Sequence, residues 1–272
     1  MTMCLRKLFP NWFKADPAPE PIPDPVVGEK RRIAVLTGIN NYPGSVNDLN
    51  GCINDIDDVE KKLKAEFPDF LIKKMKDAEV TVEGVFNQIK DILVTLHAGD
   101  VFYWHYSGHG TQIPDPSESN GYSEALYLFN GPIIDDSIQT LLSFKPVGVR
   151  FIAKFDSCFS ADMLKNSKRF KNRFYPMPGV RVRRKVTRKL GKTVMTDVVI
   201  ISGCGEEQTS ADAYINGRYN GAFTYYDLKS FDSNSTYDKE MDKLHTFLPG
   251  GGYDQDPTID GDSIIIGDKV LT

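Results

Sequence analysis

The alternation of apolar strand-like runs with amphipathic helical segments is the feature that most constrains the fold. Strand-like runs cover residues 33–39, 100–106, 149–155 and 197–203, with a weaker one at 69–75. Helical periodicity covers residues 50–66, 81–97, 136–144, 221–231 and 236–247. This alternation predicts an α/β fold with a mostly parallel sheet between helical layers. In such sheets, reactive groups lie beyond the carboxyl ends of the strands.

The chain is expected to consist of a tail and one domain. Residues 1–30 hold six of the 16 prolines, which favours an extended, disordered tail, and residues 31–272 are expected to fold as one unit. No apolar stretch reaches the length of a membrane span, and a secretory signal is not recognisable. The four cysteines include no closely spaced pair, which disfavours a disulfide framework or structural zinc site and favours the cytoplasm.

Charge is distributed unevenly along the chain. Between Lys165 and Lys192 there are 12 basic residues and no acidic one, and the remaining residues hold 21 basic against 37 acidic side chains. A basic cluster can bind polyanions, so nucleic-acid binding through residues 165–192 is one hypothesis, with Phe170, Phe174 and Tyr175 able to stack on bases. The segment resembles no known binding module, however, which disfavours this interpretation.

Two reactive side chains follow two of the predicted strands. His109 lies between two glycines after strand 100–106, an arrangement that predicts an exposed loop, and Cys158 follows strand 149–155. A thiol is nucleophilic as the thiolate, and a nearby imidazole lowers its pKa and later protonates a leaving amine. Each residue alone is more typical of a core cysteine or a turn histidine. Together, at two adjacent strand ends, they predict a nucleophilic site.

An ordered series of short motifs extends through residues 31–260. It comprises Asn40–Pro43, Leu49–Asp55, Gly99-Asp100, Tyr106–Gly110, Asp156–Cys158, Ser202–Cys204, Gln208–Ala213, Gly221–Thr224 and Gln255–Pro257. In content and order this series resembles the metacaspases, which are caspase-like cysteine peptidases. The resemblance implies a caspase-like three-layer sandwich, α/β in class, with a mostly parallel six-stranded sheet between helices.

The resemblance also implies a role for particular residues. His109 would be the general base and acid, Cys158 the nucleophile, and the backbone N–H groups of Gly110 and Cys158 the oxyanion hole. Metacaspases cleave after Arg or Lys, and a basic side chain needs a carboxylate-lined pocket. The residues matching that S1 pocket are Asp55, Ser107, Asp156 and Asp212. The alternative is that each acid only caps a helix or turn.

Two departures from the family pattern affect the expectations. The residues after Cys158 are Phe159-Ser160-Ala161, where the family usually has histidine and then Ser-Gly. Many metacaspases bind calcium through acidic residues; the matching candidates are Glu124, Asp135 and Asp136, and Ser123 replaces one acid. Because calcium prefers six to eight oxygens, calcium dependence is left open. No cofactor is expected for the chemistry, and calcium is considered only as an activator.

The predicted function is therefore a cytoplasmic, monomeric cysteine endopeptidase acting on proteins or peptides with Arg or Lys at the cleaved position. A catalytically weak scaffold or regulator with the same fold is the alternative; loss of His109 or Cys158 would mark it, and both are present. The basic segment 165–192 connects the part with the dyad to the part with Asp212. Such an enzyme would find self-cleavage sites there, with candidates at Arg183, Arg184, Lys185, Arg188 and Lys189.

Overall fold

The computed structural model describes residues 30–116, 121–158, 170–177, 196–205, 208 and 210–272. Their elements, in chain order, are β1 Arg32–Gly38, α1 Cys52–Glu66, β2 Leu71–Lys76, α2 Val82–Leu93, β3 Val101–Ser107, β4 His109–Pro114, β5 Tyr122–Leu128, β6 Gly131–Ile134, α3 Asp135–Leu142, β7 Arg150–Asp156, β8 Phe170–Asn172, β9 Val198–Ser202, β10 Ala211–Ile215, β11 Arg218–Gly221, α4 Ala222–Ser230, α5 Tyr237–Gly250, β12 Thr258–Gly261 and α6 Ser263–Ile266. The proposed N-terminal tail lies outside these residues except for Lys30.

A six-stranded sheet in the order β12-β9-β7-β3-β1-β2 forms the centre of the fold. Every pair in it is parallel except β12 with β9. The register aligns Gly38, Ser107 and Asp156 at the carboxyl ends of three neighbouring strands. The predicted α/β class and the mostly parallel six-stranded sheet are confirmed.

Helices cover both faces of this sheet. Along β1, Ile33 and Val35 face one apolar cluster with α2 and α3, while Ala34 and Leu36 face the other with α1, α4 and α5. The strands are buried on both sides, which explains their continuous apolar runs. Each fully buried large apolar side chain contributes about 1.5–3 kcal/mol, so the two clusters together stabilise the three layers.

Two small antiparallel sheets, β4-β5-β6 and β11-β10-β8, supplement the main sheet and were not predicted. Four of their six strands have five residues or fewer, and β8 pairs with a strand distant in sequence, so local patterns do not indicate them. Thr81 caps α2 as predicted by accepting a hydrogen bond from the Gly84 N–H over 3.0 Å, but the helix ends at Leu93 rather than residue 97. Within the described ranges, no helix combines the length and apolar character needed to cross a membrane.

Candidate active site

The predicted nucleophile and base lie at one edge of the main sheet. His109 begins β4 directly after β3, and Cys158 follows the end of β7, the neighbouring strand. The backbone N–H groups of Gly110 and Cys158 converge on one acceptor, the carbonyl oxygen of Arg173, over 2.9 and 3.1 Å. The two N–H groups proposed for the oxyanion hole therefore donate to the same carbonyl oxygen, as they would to a scissile peptide group.

The tautomer of His109 follows from its contacts. Its Nε2 lies 2.6 Å from the carbonyl oxygen of Asn47. Because a carbonyl can only accept, Nε2 carries the hydrogen, and Nδ1 of the neutral ring is left without one. This Nδ1 is buried and has no hydrogen-bond partner among the described residues. Burial lowers the pKa of His109 to about 4, although the carbonyls of Asn47 and Arg173 favour its charged form.

The expectation that His109 lies in an exposed loop is wrong, because only 3% of the residue is exposed. Its backbone N–H donates to the Tyr42 hydroxyl over 2.8 Å, and the two rings lie with centroids 4.7 Å apart. A side chain at Gly108 would place its Cβ 2.8 Å from that same hydroxyl. The glycine thus permits close packing around His109 rather than exposing it.

Cys158 is also fully buried. Its thiol donates to the Ser210 carbonyl over 3.2 Å and accepts from the Ser210 N–H, and it packs in a small cluster with Phe174 and Cys204. Burial, followed by the neighbouring Cys204, raises the pKa of the Cys158 thiol well above its ordinary value. The prediction that an imidazole lowers this pKa is wrong for this conformation, because Nδ1 of His109 does not hydrogen-bond to the thiol.

The four residues matched to the S1 pocket, Asp55, Ser107, Asp156 and Asp212, are brought together and are fully buried. They surround the guanidinium of Arg173, a residue of the basic segment that the sequence did not single out. Nη2 of Arg173 lies 2.8 Å from Asp55 and 3.2 Å from Asp212. Nη1 donates to the Ser107 hydroxyl over 2.7 Å and lies 3.2 Å from Asp156.

Backbone N–H groups hold the carboxylates in place as well. Asp212 accepts from the N–H groups of Asn50 and Gly51, each over 2.8 Å, at the start of α1. Asp156 accepts from the Thr224 N–H over 2.9 Å and from its hydroxyl over 2.7 Å. The alternative interpretation of these acids as local caps is therefore compatible with a pocket, since the same carboxylates make both kinds of contact.

The electrostatics of the pocket favour a cationic occupant. Burial by itself would lower the pKa of Arg173, but Asp156, Asp55 and Asp212, together with Cys52, outweigh it and raise that pKa well above the usual value. Burial raises the pKa of Asp55 despite the neighbouring guanidinium. An unpaired charge in such surroundings is costly, so three buried carboxylates need a positive group among them.

The described side chains among the candidate calcium residues are those of Glu124 and Asp136. Glu124 is buried on β5, Asp136 is exposed in the first turn of α3, and the side chain of Asp135 is outside the described part. Within that part, no three or more His, Cys, Asp or Glu side chains gather to hold a metal. Phe159 and the five self-cleavage candidates between residues 183 and 189 also lie outside the described residues.

Sequence reasoning missed Arg173, Asn47 and Ser210. Asn47 and Ser210 act through backbone groups, which any residue type supplies, so the sequence offers no signal for them. Arg173 lies in a basic segment, where an arginine is ordinarily exposed, so its position in the sequence gave no indication that it is buried. His105, to which no role was assigned, is buried beneath the pocket, where it contacts Thr224 and burial lowers its pKa to about 3.

Comparison with solved structures places this architecture among caspase-like folds. The chain resembles caspase-1 from Spodoptera frugiperda with a TM-score of 0.56 at 14% identity, over 85% of this chain and 86% of the insect protein. It resembles a protein of Geobacter sulfurreducens with a TM-score of 0.69 at 24% identity, over 89% and 98% of the two chains. At these identities the likeness concerns the fold alone.

Sequence comparison defines the family. Residues 31–167, about half of the chain, match the family described as metacaspase, peptidase C14 domain, and the chain belongs to this family. It is 34% identical to Metacaspase-5 of Trypanosoma cruzi over 70% of this chain, and 29% identical to Metacaspase-1 of Candida albicans over 84%. These matches span 46% and 64% of the two relatives.

Proposed function

We propose that this chain is a cysteine endopeptidase that cleaves after Arg or Lys through Cys158 and His109. The observation that carries the proposal is the arginine in the acidic pocket. The Arg173 guanidinium lies among three buried carboxylates while its own carbonyl accepts from the two N–H groups of the candidate oxyanion hole. One residue thus fits both the side-chain pocket and the site where a scissile carbonyl would lie.

The proposal assigns each group of the site one step of the reaction. The Cys158 thiol would attack the substrate carbonyl, and Nδ1 of His109 would take the thiol proton and return it to the leaving amine. Asn47 would orient the imidazole through its carbonyl, in the manner of the third member of a catalytic triad. The Gly110 and Cys158 N–H groups would stabilise the oxyanion of the tetrahedral intermediate.

The pocket favours arginine over lysine. Nη1 and Nη2 of Arg173 reach different acceptors, with Ser107 and Asp156 on one side and Asp55 and Asp212 on the other. A lysine ammonium is a compact point charge and cannot span both sides. We therefore expect both residues to be accepted at the cleaved position, with kcat/KM for arginine peptides higher by about tenfold, the value of one lost hydrogen bond.

The test is a matched set of fluorogenic peptides that end in Arg, Lys or Asp before the reporter. The protein, with and without calcium, should release the reporter after Arg and Lys, and Cys158→Ala should not. An equally silent wild type would reject the peptidase in favour of a caspase-fold scaffold or regulator. Cleavage after Asp would reject the assignment of Asp55, Asp156 and Asp212 to the pocket.

The remaining parts of the proposal concern conditions and partners. The expected partners are protein or peptide substrates with Arg or Lys at the cleaved position, and the enzyme is expected to act on them as a monomer in the cytoplasm. Calcium stimulation stays a prediction, and the peptide assay with and without calcium tests it. Self-processing within residues 165–192 is also part of the proposal. Residues 170–177 of that segment are described, and their contacts point to one bond.

A further inference from the structure

The main chain of residues 170–175 follows the path expected of a bound substrate. β8 adds to β10 as an antiparallel strand, with Phe170 opposite Ala213 and Asn172 opposite Ala211. The Arg173 N–H continues this pairing by donating to the Ser210 carbonyl over 3.1 Å. Extended peptides are commonly recognised in this way, because backbone pairing supplies affinity while side-chain pockets supply specificity.

Contacts continue on the other side of Arg173. The Tyr175 N–H donates to the Gly110 carbonyl over 2.8 Å, and the Tyr175 carbonyl accepts from the Thr111 hydroxyl over 2.8 Å. The Tyr175 ring stacks on Tyr127, with centroids 3.6 Å apart and planes inclined by 10°. Phe174 packs in one cluster with Cys158 and Cys204. Residues on both sides of the Arg173–Phe174 peptide bond are therefore held by contacts with the candidate active site.

A purely structural arginine would explain the ion pairs but not the rest of the arrangement. Buried ion pairs need only the side chain, whereas here the carbonyl of the same residue accepts from both candidate oxyanion donors. The neighbouring Lys171, by contrast, is exposed, and its ammonium group contacts the Asp48 carbonyl at the surface. Of the two basic residues, only Arg173 combines the pocket with the oxyanion position.

We infer that the chain carries its own first substrate: Arg173 blocks the S1 pocket of the intact protein, and the Arg173–Phe174 bond is the first bond that the enzyme cuts. This inference rests on the proposed function and adds the regulation of the same site. It differs from the sequence-based candidates at residues 183–189. Arg173 already places its side chain in the S1 pocket and its carbonyl oxygen at the candidate oxyanion hole.

The chemistry balances with water as the co-reactant. Nδ1 of His109 takes the proton of the Cys158 thiol, and the sulfur bonds to the Arg173 carbonyl carbon, which places negative charge on the carbonyl oxygen between the two N–H donors. The carbonyl re-forms as the bond to the Phe174 nitrogen breaks, and His109 returns the proton to that amine. Water then hydrolyses the thioester, which leaves a carboxylate at Arg173 and a free thiol at Cys158.

The consequence is an enzyme that is latent until cleavage. An external basic side chain cannot enter the pocket while the Arg173 guanidinium fills it, and Cys158 is fully buried in a cluster with Phe174. After the cut, Phe174 and Tyr175 belong to a new N-terminus and can leave, and Arg173 can withdraw from the pocket. Hydrolysis of external peptides should therefore begin only after a lag, and the lag should end as the cut form accumulates.

The experiment follows the full-length protein over time by intact mass and N-terminal analysis, while the same samples are assayed with an arginine peptide. We expect two fragments, one ending at Arg173 and one beginning at Phe174, at a first-order rate that does not depend on protein concentration. Cys158→Ala should stay intact. Arg173→Lys should still be cut at the same bond, and Arg173→Gln should not be cut there.

Lys171→Gln is the matched control, since it removes a positive charge from the same strand outside the pocket, and it should be cut like the wild type. An intact chain, or one cut only elsewhere, that still hydrolyses the arginine peptide overturns the inference and leaves the proposed function standing. Loss of both activities in the wild type overturns both. Both outcomes are measured on the wild-type protein, so the inference can be rejected even if a variant fails to fold.

Discussion

The guanidinium of Arg173 donates to the carboxylate of Asp55 over 2.8 Å, and neither side chain has exposed surface. Removing one member of such a pair is costly in free energy, because it leaves the other as a buried charge without compensation. Under the proposed function, an external substrate that replaces Arg173 is expected to make the same contact with Asp55.

Asp55→Asn should reduce kcat/KM for arginine peptides by about 100-fold, since the loss of one partner of a buried charge pair costs about 2–5 kcal/mol. Peptide kinetics on the cut enzyme measure this loss. Asp57→Asn, a change in the same helix at an exposed residue that pairs with Lys74 and Lys76, is the control and should leave the kinetics unchanged. If both variants have the same kcat/KM, the assignment of Asp55 to the S1 pocket is wrong.

Alkylation of Cys158 should report the state of its thiol. In the intact chain the raised pKa of Cys158 and the lowered pKa of His109 favour the neutral thiol with a neutral imidazole. Only the thiolate reacts with iodoacetamide, so the rate should rise about tenfold per pH unit between pH 6 and 8. Mass spectrometry of the peptide that contains Cys158 measures this rate.

After self-cleavage the rate of Cys158 alkylation should increase and lose most of its pH dependence, because exposure of the thiol beside His109 favours an ion pair. Cys52 provides an internal control in the same samples. It is also buried, burial raises its pKa, and it should remain slow before and after the cut. A fast, pH-independent reaction of Cys158 in the intact chain would contradict a buried neutral thiol.

The sequence predicted the main sheet and the positions of both catalytic candidates because these depend on local patterns. Buried parallel strands appear as continuous apolar runs, and their order along the chain places His109 and Cys158 at carboxyl ends. The observed register of Ser107 beside Asp156 agrees with that prediction. Ser107 and Asp156, which were both matched to the pocket, are therefore neighbours because they end adjacent parallel strands.

The occupant of the pocket could not be predicted in this way. Arg173 is buried only because Asp55, Asp156 and Asp212 converge from three distant segments, and because β8 pairs with β10. An arginine in a basic segment is ordinarily exposed, so its sequence surroundings indicate the opposite of what occurs. The burial of His109 was missed for the same reason, since distant residues cover it.

A second buried charge cluster should matter for stability. The Lys154 ammonium lies 2.7 Å from Asp227 and 2.8 Å from Glu240, and all three side chains are buried. Lys154→Met keeps much of the volume but leaves two carboxylates facing each other, so the free energy of unfolding should fall by about 3–5 kcal/mol. Urea unfolding measures the loss.

Lys74→Met is the control for this change, because Lys74 also pairs with two acids, Asp57 and Glu60, but at a partly exposed site. Its effect on the free energy of unfolding should be under about 1 kcal/mol, as is typical of surface ion pairs. If the two variants unfold at the same urea concentration, burial does not set the contribution of the Lys154 cluster.

Tyr127 should confer a preference for aromatic residues on the leaving side of the cut. Its ring stacks on Tyr175, the second residue after the proposed scissile bond, and stacked aromatic pairs contribute about 0.5–1.5 kcal/mol beyond the area they bury. Tyr127→Ala should therefore lower kcat/KM about three- to tenfold for peptides with Tyr at that second position. Peptides with Ala there should be cleaved equally by both enzymes. Tyr214→Ala, which removes an exposed tyrosine from β10, is the control, and an equal loss on both peptides would indicate a general disturbance instead of a subsite.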